Sequence, residues 1–323
     1  MSDPRPRPTI SVVVASYNTP KTLEMCLRSL ASQSAEQVLV LDCSDQDPAP
    51  LLSKQFPAVR FFYFGEAVSI PRLRWKGFRE STGDVVANLE SWMVPGPGWV
   101  EALREVHSEQ ASAPVVGGAV AFDPGDGGSA FQWGDFFYEY GRHMAPADGG
   151  GADDGVATGG EASSRETEDG EVAELTGANC SYKRAALEEC DDLLEHGAWD
   201  SALHERFQKQ GTPLWRAGSA TVEYCGDPTP RQVILQRFHY GRWFAAERNA
   251  ELTFAERVVR CLTSPLVPWI LLRRLWQSLD GKPGARRQLA RSVAWVMFSY
   301  SLWSLGEARG YLLGGGSSEH RIF

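Results

Sequence analysis

The stretch TISVVVASYNTP, residues 9–20, indicates the fold class of the chain. Its first seven residues form a mostly β-branched apolar run, which is typical of a strand buried on both faces. Asn18 and Thr19 can then cap a helix, and Pro20 suits the first turn of that helix. Apolar residues recur at helical spacing as far as Leu30. A strand followed directly by a helix is the repeating unit of α/β proteins.

The alternation of strands and helices continues along the chain. Further strands are predicted at residues 38–41, 59–64, 84–89 and 115–120, and helices at residues 71–81 and 97–109. This order predicts an α/β fold with a Rossmann-like, mostly parallel sheet flanked by helices, which binds ligands beyond the carboxyl ends of its strands. Tyr17, Asn18, Asp42 and Glu90 each follow or end a predicted strand, so we expect them to converge. No GxGxxG motif follows the first strand, which argues against a dinucleotide site.

Composition divides the chain into regions. Residues 1–8 are a Pro-rich tail that is predicted to be disordered, residues 9–230 an α/β domain, and residues 231–323 a helical region. Within the domain, residues 145–171 are rich in Gly, Asp and Glu and almost free of large apolar residues, which predicts a flexible acidic insertion. Six cysteines without CxxC spacing, and no recognisable signal peptide, predict a reducing, cytoplasmic compartment.

Charge is unevenly distributed. The net charge is −9, but residues 231–323 hold 14 Lys and Arg against 6 Asp and Glu. An acidic body with a basic, Trp-rich C-terminal region argues against nucleic acid as a partner and is typical of a chain that meets an anionic membrane surface.

Five motifs occur in order between residues 10 and 224. They are SVVVASYN, VLVLDCSD, PRLRWKGFRESTGDVVANLE, LTGANCSYKRAAL and WDSALHERFQKQG. Together they resemble the family 2 glycosyltransferases, which have the GT-A nucleotide-sugar fold. The resemblance implies an inverting transferase, of hexosyl or deoxyhexosyl type, that acts in polysaccharide or glycolipid biosynthesis. It would move a sugar from a nucleotide-diphosphate donor to a hydroxyl of a glycan or lipid-linked acceptor. A degenerate domain that only binds a sugar nucleotide or glycan is the alternative.

The resemblance implies that Asp200 is the catalytic base. In the family an acid pair opens a helix that an Arg and then a Gly close, and Arg206 and Gly211 place Trp199 and Asp200 at that pair. Such a carboxylate removes the proton of the acceptor hydroxyl as its oxygen attacks the anomeric carbon. Alternatively, Asp200 only caps the helix. Glu205 is the second candidate base.

The segment VVANLESWMVPGPGWV, residues 85–100, ends a predicted strand at a single carboxylate, Glu90. In the family this position carries an Asp-rich triplet that holds a divalent cation against the donor diphosphate. Here Ser91 and Trp92 complete the triplet, and Tyr224 stands where many members carry a His. Two explanations remain open. Either Glu90 and the diphosphate bind Mg²⁺ or Mn²⁺ weakly, or cationic side chains help to neutralise the charge of the diphosphate.

The resemblance also implies binding residues on both sides of the reaction. Donor-binding candidates are Ser16, Tyr17, Asn18, Asp42, Arg72, Arg74, Glu90 and Ser91, and the cationic candidates are Arg72, Arg74 and Lys76. Acceptor-side candidates are Gly177, Asn179, Trp199, His239 and Arg242. Asp42 can instead cap the turn after its strand. Five residues lie between Gln236 and Arg242, whereas two lie between Gln and Arg in the QxxRW signature of processive synthases, which predicts a non-processive enzyme.

Two apolar segments follow, at residues 264–276 and 292–314. The first is shorter than a bilayer span, and charged residues interrupt the second. Arg flanks both and Trp recurs at their edges, which is typical of helices in the membrane interface. We therefore expect a cytoplasmic protein held peripherally at the inner face of the cell membrane. A helical hairpin packed on the catalytic domain or on a second subunit is the alternative.

Overall fold

The structure, a computed structural model, describes residues 7–145, 169–249, 252–318 and 321–322. Residues 1–6 of the predicted tail and 146–168 of the predicted insertion lie outside these ranges. The chain opens with the predicted strand and helix, β1 (Ile10–Ser16) and α1 (Pro20–Ala31), and every residue of β1 is buried. Thr19 precedes α1 without forming a side-chain cap. Its hydroxyl bonds the hydroxyl of Ser91 instead.

The remaining elements of the α/β domain include the strands and helices predicted at residues 38–41, 59–64, 71–81, 84–89 and 97–109, each within two residues of its predicted bounds, together with elements whose bounds were not predicted. They are β2 (Gln37–Asp42), α2 (Ala49–Leu52), β3 (Val59–Tyr63), α3 (Ile70–Glu80), β4 (Val85–Glu90), β5 (Met93–Pro95), α4 (Trp99–Glu109), β6 (Val115–Gly117), β7 (Val120–Ala121), α5 (Ala130–Tyr140), β8 (Gly170–Val172), β9 (Asn179–Lys183), α6 (Arg184–Glu188), α7 (Asp191–Glu195), α8 (Asp200–Lys209), β10 (Leu214–Arg216) and β11 (Val222–Tyr224).

These strands form two sheets. The larger has the order β3-β2-β1-β4-β9-β6-β10-β8, and the smaller has the order β5-β11-β7. Strands β3, β2, β1 and β4 run parallel to one another, and β9 runs antiparallel between β4 and β6. The prediction of a mostly parallel sheet flanked by helices is confirmed.

Two local predictions were wrong. The single strand expected at residues 115–120 is split, because β6 belongs to the large sheet and β7 to the small one. Gly118 lies at the step between them, where an added Cβ would come within 2.6 Å of the Ala220 carbonyl carbon. Only glycine allows the two backbones to approach so closely. Residues 170–171 of the predicted flexible insertion belong to β8, which pairs with β10.

The large sheet is covered on both faces. Val12 and Val14 join the core beneath α1 and α4, whereas Val13 and Ala15 join the core beneath α3 and α8. This division follows from the alternation of side chains along a strand. The burial of both faces fixes the carboxyl ends of β1, β2 and β4 at one edge of the sheet, where ligands of such sheets bind.

Among the described residues after β11, four α-helices follow, namely α9 (Pro230–Arg248), α10 (Phe254–Thr263), α11 (Val267–Ser278) and α12 (Pro283–Leu313). Helix α12 packs along α9 and α5. Glycines allow this contact, since a Cβ on Gly241 would lie 2.8 Å from the Trp303 carbonyl carbon, and a Cβ on Gly134 would lie 2.5 Å from the Trp295 Cβ. One face of the second apolar segment is therefore packed on the protein, as the alternative prediction had it.

A buried ionic cluster joins α9 to α5. Arg237 of α9 is 2% exposed and donates to Asp135 at 2.7 Å and to Glu139, both on α5. Tyr224 also donates to Asp135, at 2.7 Å. Breaking such a buried pair leaves uncompensated charges, so the cluster holds α9 in one position over the domain.

Helices α10 and α11 expose large apolar side chains, and α12 also exposes Phe298, Leu305, Leu312 and Leu313. Phe254 is 77% exposed, Leu262 74% and Trp269 65%. No residue of α10 is buried. In the part of the chain that the structure describes, no helix combines the length and the apolar character that crossing a membrane requires.

Candidate active site

Two carboxylates meet on one guanidinium at the carboxyl end of β4. Arg74 donates from Nη2 to Glu90 Oε1 at 2.8 Å and from Nη1 to Asp200 Oδ2, although Arg74 and Asp200 are 126 residues apart in the sequence. Arg74 is 5% exposed and Glu90 6%. Burial by itself would raise the pKa of Asp200, but the charge of Arg74, together with His204 and the hydrogen bond from Tyr182, outweighs burial, and the pKa lies below its usual value. Asp200 is therefore ionised at neutral pH.

The second oxygen of Asp200 is also held. The Tyr182 hydroxyl donates to Oδ1 at 2.9 Å, and His204 Nε2 lies 2.9 Å from the same hydroxyl. Sequence reasoning missed both residues. His204 stands one helical turn after Asp200, and that spacing was an available signal. No sequence pattern around Tyr182 indicates a contact with α8, because Tyr182 lies on a separate strand, β9.

Gly177 allows the loop before β9 to approach this cluster closely. A Cβ at position 177 would come within 2.5 Å of Asp200 Cγ and 2.6 Å of Arg74 Nη1. The predicted acceptor-side residue Gly177 thus lies against the candidate base through its backbone. Arg74, Tyr182 and Asp200 also line a small cleft of about 20 Å³.

Glu90 is bonded through both of its oxygens. The Tyr140 hydroxyl donates to Oε2 at 3.0 Å and accepts a hydrogen bond from Trp92 Nε1 at 3.1 Å. Burial raises the pKa of Glu90 to about 7 in spite of the charge of Arg74. Trp92, the last residue of the triplet, therefore supports this carboxylate through Tyr140.

The hydrogen bonds of Glu90, Ser91 and Tyr224 decide whether these side chains are available to bind a divalent cation. Mg²⁺ and Mn²⁺ favour several oxygen ligands, with carboxylates prominent. Glu90 is a single carboxylate whose oxygens are both occupied, the Ser91 hydroxyl bonds Thr19, and the Tyr224 hydroxyl bonds Asp135. Across the described ranges, no three His, Cys, Asp or Glu side chains are grouped to hold a metal. The donor set therefore does not fit a protein-held cation, and the weak site predicted at Glu90 stays a prediction.

The ends of β1 and β2 lie side by side. Ser16 and Asp42, the last residues of these strands, are in register. The Ser44 backbone N–H and hydroxyl each donate to Asp42 at 2.9 Å. Burial raises the pKa of Asp42. These contacts are those of the turn-capping alternative, and the contact of Asp42 with a nucleotide stays a prediction.

The loop after β1 borders a second cleft. Tyr17, Cys43 and Trp92 are among the side chains that line this small cleft of about 10 Å³. Asn18 has a left-handed backbone, with φ of 51°, and its side chain donates to Asp45 at 3.1 Å. Asn is among the residues that tolerate this conformation best. Of the predicted donor residues, Ser16 and Tyr17 line this cleft, whereas Asn18 and Asp42 are not among its lining residues.

The three cationic candidates on α3 occupy different places. Arg74 bridges the two acids, as described above. Arg72 is exposed and packs against the loop at Gly197, whose Cβ position lies 3.3 Å from Arg72 Cγ. The Lys76 ammonium lies 4.7 Å from the centroid of the Phe64 ring. Of the three, Arg74 is the one that contacts both acids, and the cationic role predicted for this helix stays a prediction.

Three predicted acceptor-side residues lie elsewhere. Asn179 is fully buried, and its amide donates to the carbonyl oxygens of Ala119 at 3.0 Å and Ala220 at 2.9 Å. It joins the two sheets instead of facing an acceptor. His239 bonds the Ser318 hydroxyl at 3.0 Å, and Arg242 Nε donates to the Gly314 carbonyl oxygen at 2.9 Å. Residues three apart share a helix face, and this face of α9 packs on the C-terminal end of the chain.

A different face of α9 reaches the site. The Trp199 ring, next to Asp200, lies 5.2 Å from the Tyr240 ring and 6.0 Å from the Trp243 ring, measured between centroids. Glu205, the second candidate base, is exposed and pairs with Lys209 at 2.8 Å. The geometry therefore favours Asp200 over Glu205.

The sequence of the chain is similar to those of known proteins. The family model described as glycosyl transferase family 2 matches residues 11–190. Glycosyltransferase AglE of Haloferax volcanii is 29% identical over 139 residues, which are 40% of this chain and 45% of AglE. The chain thus matches less than half the length of this curated relative.

Solved structures resemble the chain in fold. The mannosyltransferase PcManGT from Pyrobaculum calidifontis, solved in complex with GDP-Man and Mn²⁺, has a TM-score of 0.55 at 14% identity, over 96% of this chain and 89% of PcManGT. S. aureus TarS, residues 1–349, has a TM-score of 0.46 at 14% identity, over 91% of this chain and 90% of TarS. The predicted GT-A fold is confirmed. Because the family model covers more than half of its residues, the chain belongs to glycosyl transferase family 2.

Proposed function

We propose that the chain is an inverting, non-processive glycosyltransferase. It moves a sugar from a nucleotide-diphosphate donor to a hydroxyl of a glycan or lipid-linked acceptor. The observation that carries this proposal is the meeting of Glu90 and Asp200 on Arg74 at the carboxyl edge of the parallel strands. A carboxylate that is ionised at neutral pH, and that lines a cleft at this edge, suits a general base.

The proposed chemistry is one displacement. Asp200 accepts the proton of the acceptor hydroxyl while the hydroxyl oxygen bonds the anomeric carbon. The bond between that carbon and the donor phosphate oxygen breaks on the opposite face, so the configuration inverts. Arg74 Nε is buried and has no hydrogen-bond partner among the residues described, which leaves one guanidinium N–H for a phosphate oxygen.

A binding module without catalysis is the second candidate. The observation that favours it is the reduction of the acid triplet to Glu90, whose oxygens already bond Arg74 and Tyr140. A transferase must stabilise the charge that develops on the departing nucleoside diphosphate. A domain that has lost this ability can still bind a sugar nucleotide.

Hydrolysis of a panel of UDP-, GDP- and dTDP-sugars by the purified protein, with Mn²⁺ and separately with EDTA, tests the proposal. We expect turnover of one donor that Asp200→Asn abolishes and Glu205→Gln preserves. Nucleotide binding without turnover would support the module, and a fully active Asp200→Asn variant would refute the assigned base. The EDTA arm tests the predicted weak Mg²⁺ or Mn²⁺ site at Glu90.

We further propose that α10 and α11 hold the protein at an anionic membrane surface on the cytoplasmic face. Their exposed apolar side chains are Phe254, Val259, Leu262, Trp269, Ile270 and Trp276, and Leu266 lies between the two helices. Arg260, Arg273 and Arg274 are exposed on the same two helices. Apolar side chains with neighbouring Arg are the combination that interfacial helices use.

Sedimentation with vesicles tests this attachment. We expect binding to phosphatidylglycerol-containing vesicles, weaker binding to pure phosphatidylcholine, and loss of binding in a Leu262→Ser, Trp269→Ser variant. Leu51 is 65% exposed on α2, so Leu51→Ser is the matched control and should leave binding unchanged. Equal sedimentation of both variants would contradict the proposal.

A further inference from the structure

We propose that Tyr182 and His204 are positioning residues for Asp200. They form a hydrogen-bonded line, His204 to Tyr182 to Asp200, that fixes the direction of the carboxylate and adjusts its basicity. This inference rests on the proposed function, because the direction of the carboxylate matters to the reaction only if Asp200 accepts the acceptor proton. Neither residue contacts substrate in the proposed mechanism.

The line is built from two rigid elements. Tyr182 is fully buried on β9, between β4 and β6, and His204 is buried on α8 one turn after Asp200. The Tyr182 hydroxyl lies 2.9 Å from both Asp200 Oδ1 and His204 Nε2. The two rings are 5.9 Å apart between centroids, with 26° between their planes. Sheet and helix therefore define the position of every atom in the line.

The chemistry of the three groups sets the direction of the protons. An ionised carboxylate only accepts hydrogen bonds, so the Tyr182 hydroxyl donates to Asp200. The Tyr182 oxygen then accepts from His204, which must carry its ring proton on Nε2. Burial lowers the pKa of His204 and so favours the neutral ring, which has one such proton.

Charged and titratable groups face Asp200 from several elements. Arg74 of α3 donates to Oδ2, and the Cys180 thiol of β9 lies 3.8 Å from Oδ1. Glu90 of β4 acts on Asp200 from the far side of Arg74, and Tyr240 approaches from α9. Among these groups, Arg74 supplies the charge that keeps Asp200 ionised. Tyr182 supplies a directed bond to the other oxygen.

A carboxylate held at both oxygens cannot rotate freely. Arg74 fixes Oδ2 and Tyr182 fixes Oδ1, so the lone pairs that remain keep a constant direction. A base requires this to meet an incoming hydroxyl in line, since small misplacements of reacting groups cost large factors in rate. Loss of Tyr182 would free one end of the carboxylate and remove a hydrogen bond that favours its ionised form.

Tyr182→Phe tests the line, with the donor that the hydrolysis panel identifies as substrate. Removing a donor to the ionised form raises the pKa of Asp200. We therefore expect the acid limb of the kcat profile to move up by about one pH unit. We also expect kcat to fall about tenfold at neutral pH with the donor KM unchanged, since the line acts on the base. His204→Leu should shift the limb in the same direction by less, and His204→Gln, which keeps an N–H donor, should restore it.

Ser181→Ala is the matched control. Ser181 is a fully buried neighbour on β9 whose hydroxyl bonds His107 at 2.9 Å, on the other face of the strand. The Ser181→Ala variant should be less stable than wild type, without any shift of the acid limb of the kcat profile. If Tyr182→Phe fails to fold, the His204→Leu and His204→Gln pair tests the line. A wild-type limb in His204→Leu then overturns the inference.

A second measurement requires no substrate. In a double-mutant cycle of unfolding with Tyr182→Phe and Asp200→Ala, we expect a coupling of about tenfold in the unfolding equilibrium constant. No coupling would overturn the inference. If Asp200→Asn is inactive but Tyr182→Phe keeps the wild-type profile, only the positioning line is wrong. If Asp200→Asn is fully active, the proposed function is wrong as well.

Discussion

Replacing Gly177 by alanine tests how closely the backbone approaches the candidate base. The added Cβ would lie 2.5 Å from Asp200 Cγ and 2.6 Å from Arg74 Nη1, whereas ordinary contacts begin at 3.4 Å. The atoms in the way are the ends of two side chains, not backbone. Since the backbone of Gly177 is not in the left-handed region, the substitution requires only that these side chains move.

The displacement gives the expected magnitude. Asp200 Cγ must move by about 0.9 Å to restore an ordinary contact. A misplacement of roughly 1 Å in a catalytic group can cost about 100-fold in rate, so we expect kcat to fall by about that factor. Overpacking of a close contact costs about 1–3 kcal/mol of stability, so the protein should remain folded.

Steady-state donor turnover and thermal unfolding measure the two effects. Gly170→Ala is the matched control, because nothing lies within 4 Å of a Cβ at that position. It should keep turnover within about twofold of wild type, as surface substitutions away from special features do. A Gly177→Ala protein with wild-type kcat would show that the position of Asp200 beside this loop is irrelevant to catalysis, and the reasoning would fail.

Three other predictions concern stability. Asn179→Ala removes hydrogen bonds to two backbone carbonyls, so we expect the unfolding free energy in urea to fall by about 2–4 kcal/mol. The KM for the acceptor should stay unchanged, and a raised acceptor KM with normal stability would restore the acceptor-side role of Asn179. Arg237→Met leaves Asp135 and Glu139 unpaired, and a melting-point drop equivalent to about 3–5 kcal/mol is expected; a wild-type melting point would contradict it. Burial lowers the pKa of His107 to about 3, so its stabilising contribution is complete above pH 6.5 and is lost as the pH falls toward 3. His107→Gln should lessen the acid loss of stability in that window, and an identical pH–stability curve would rule this out.

Residue pattern alone predicted the elements that depend on local spacing. The apolar run of β1, the proline at the start of α1 and the acid that ends β4 are all present within a residue or two of expectation. Their placement at one sheet edge also followed, because consecutive strand–helix units give parallel strands whose carboxyl ends lie together. Placing Asp200 near Glu90 required more than spacing and came from the ordered family motifs.

Residue periodicity did not predict the contacts between segments that are distant in the sequence. The face of α9 that meets Trp199 carries Tyr240 and Trp243, whereas the predicted His239 and Arg242 pack on the C-terminal end. All four residues lie on one helix of mixed composition. Which face of α9 contacts the site depends on the positions of α5 and α12, and the local sequence of α9 does not encode those positions.

The sequence by itself determined the α/β class, the sites where strands end, and the acids that follow them, because backbone periodicity and turn chemistry are local properties. Only the tertiary structure decided that Arg74 would pair with Glu90 and Asp200 together, that Tyr182 would support the second oxygen of Asp200, and that Asn179 would join the sheets. Those contacts depend on the insertion of β9 between β4 and β6. Strand order is set by the burial of the whole core, so no single segment of sequence encodes it.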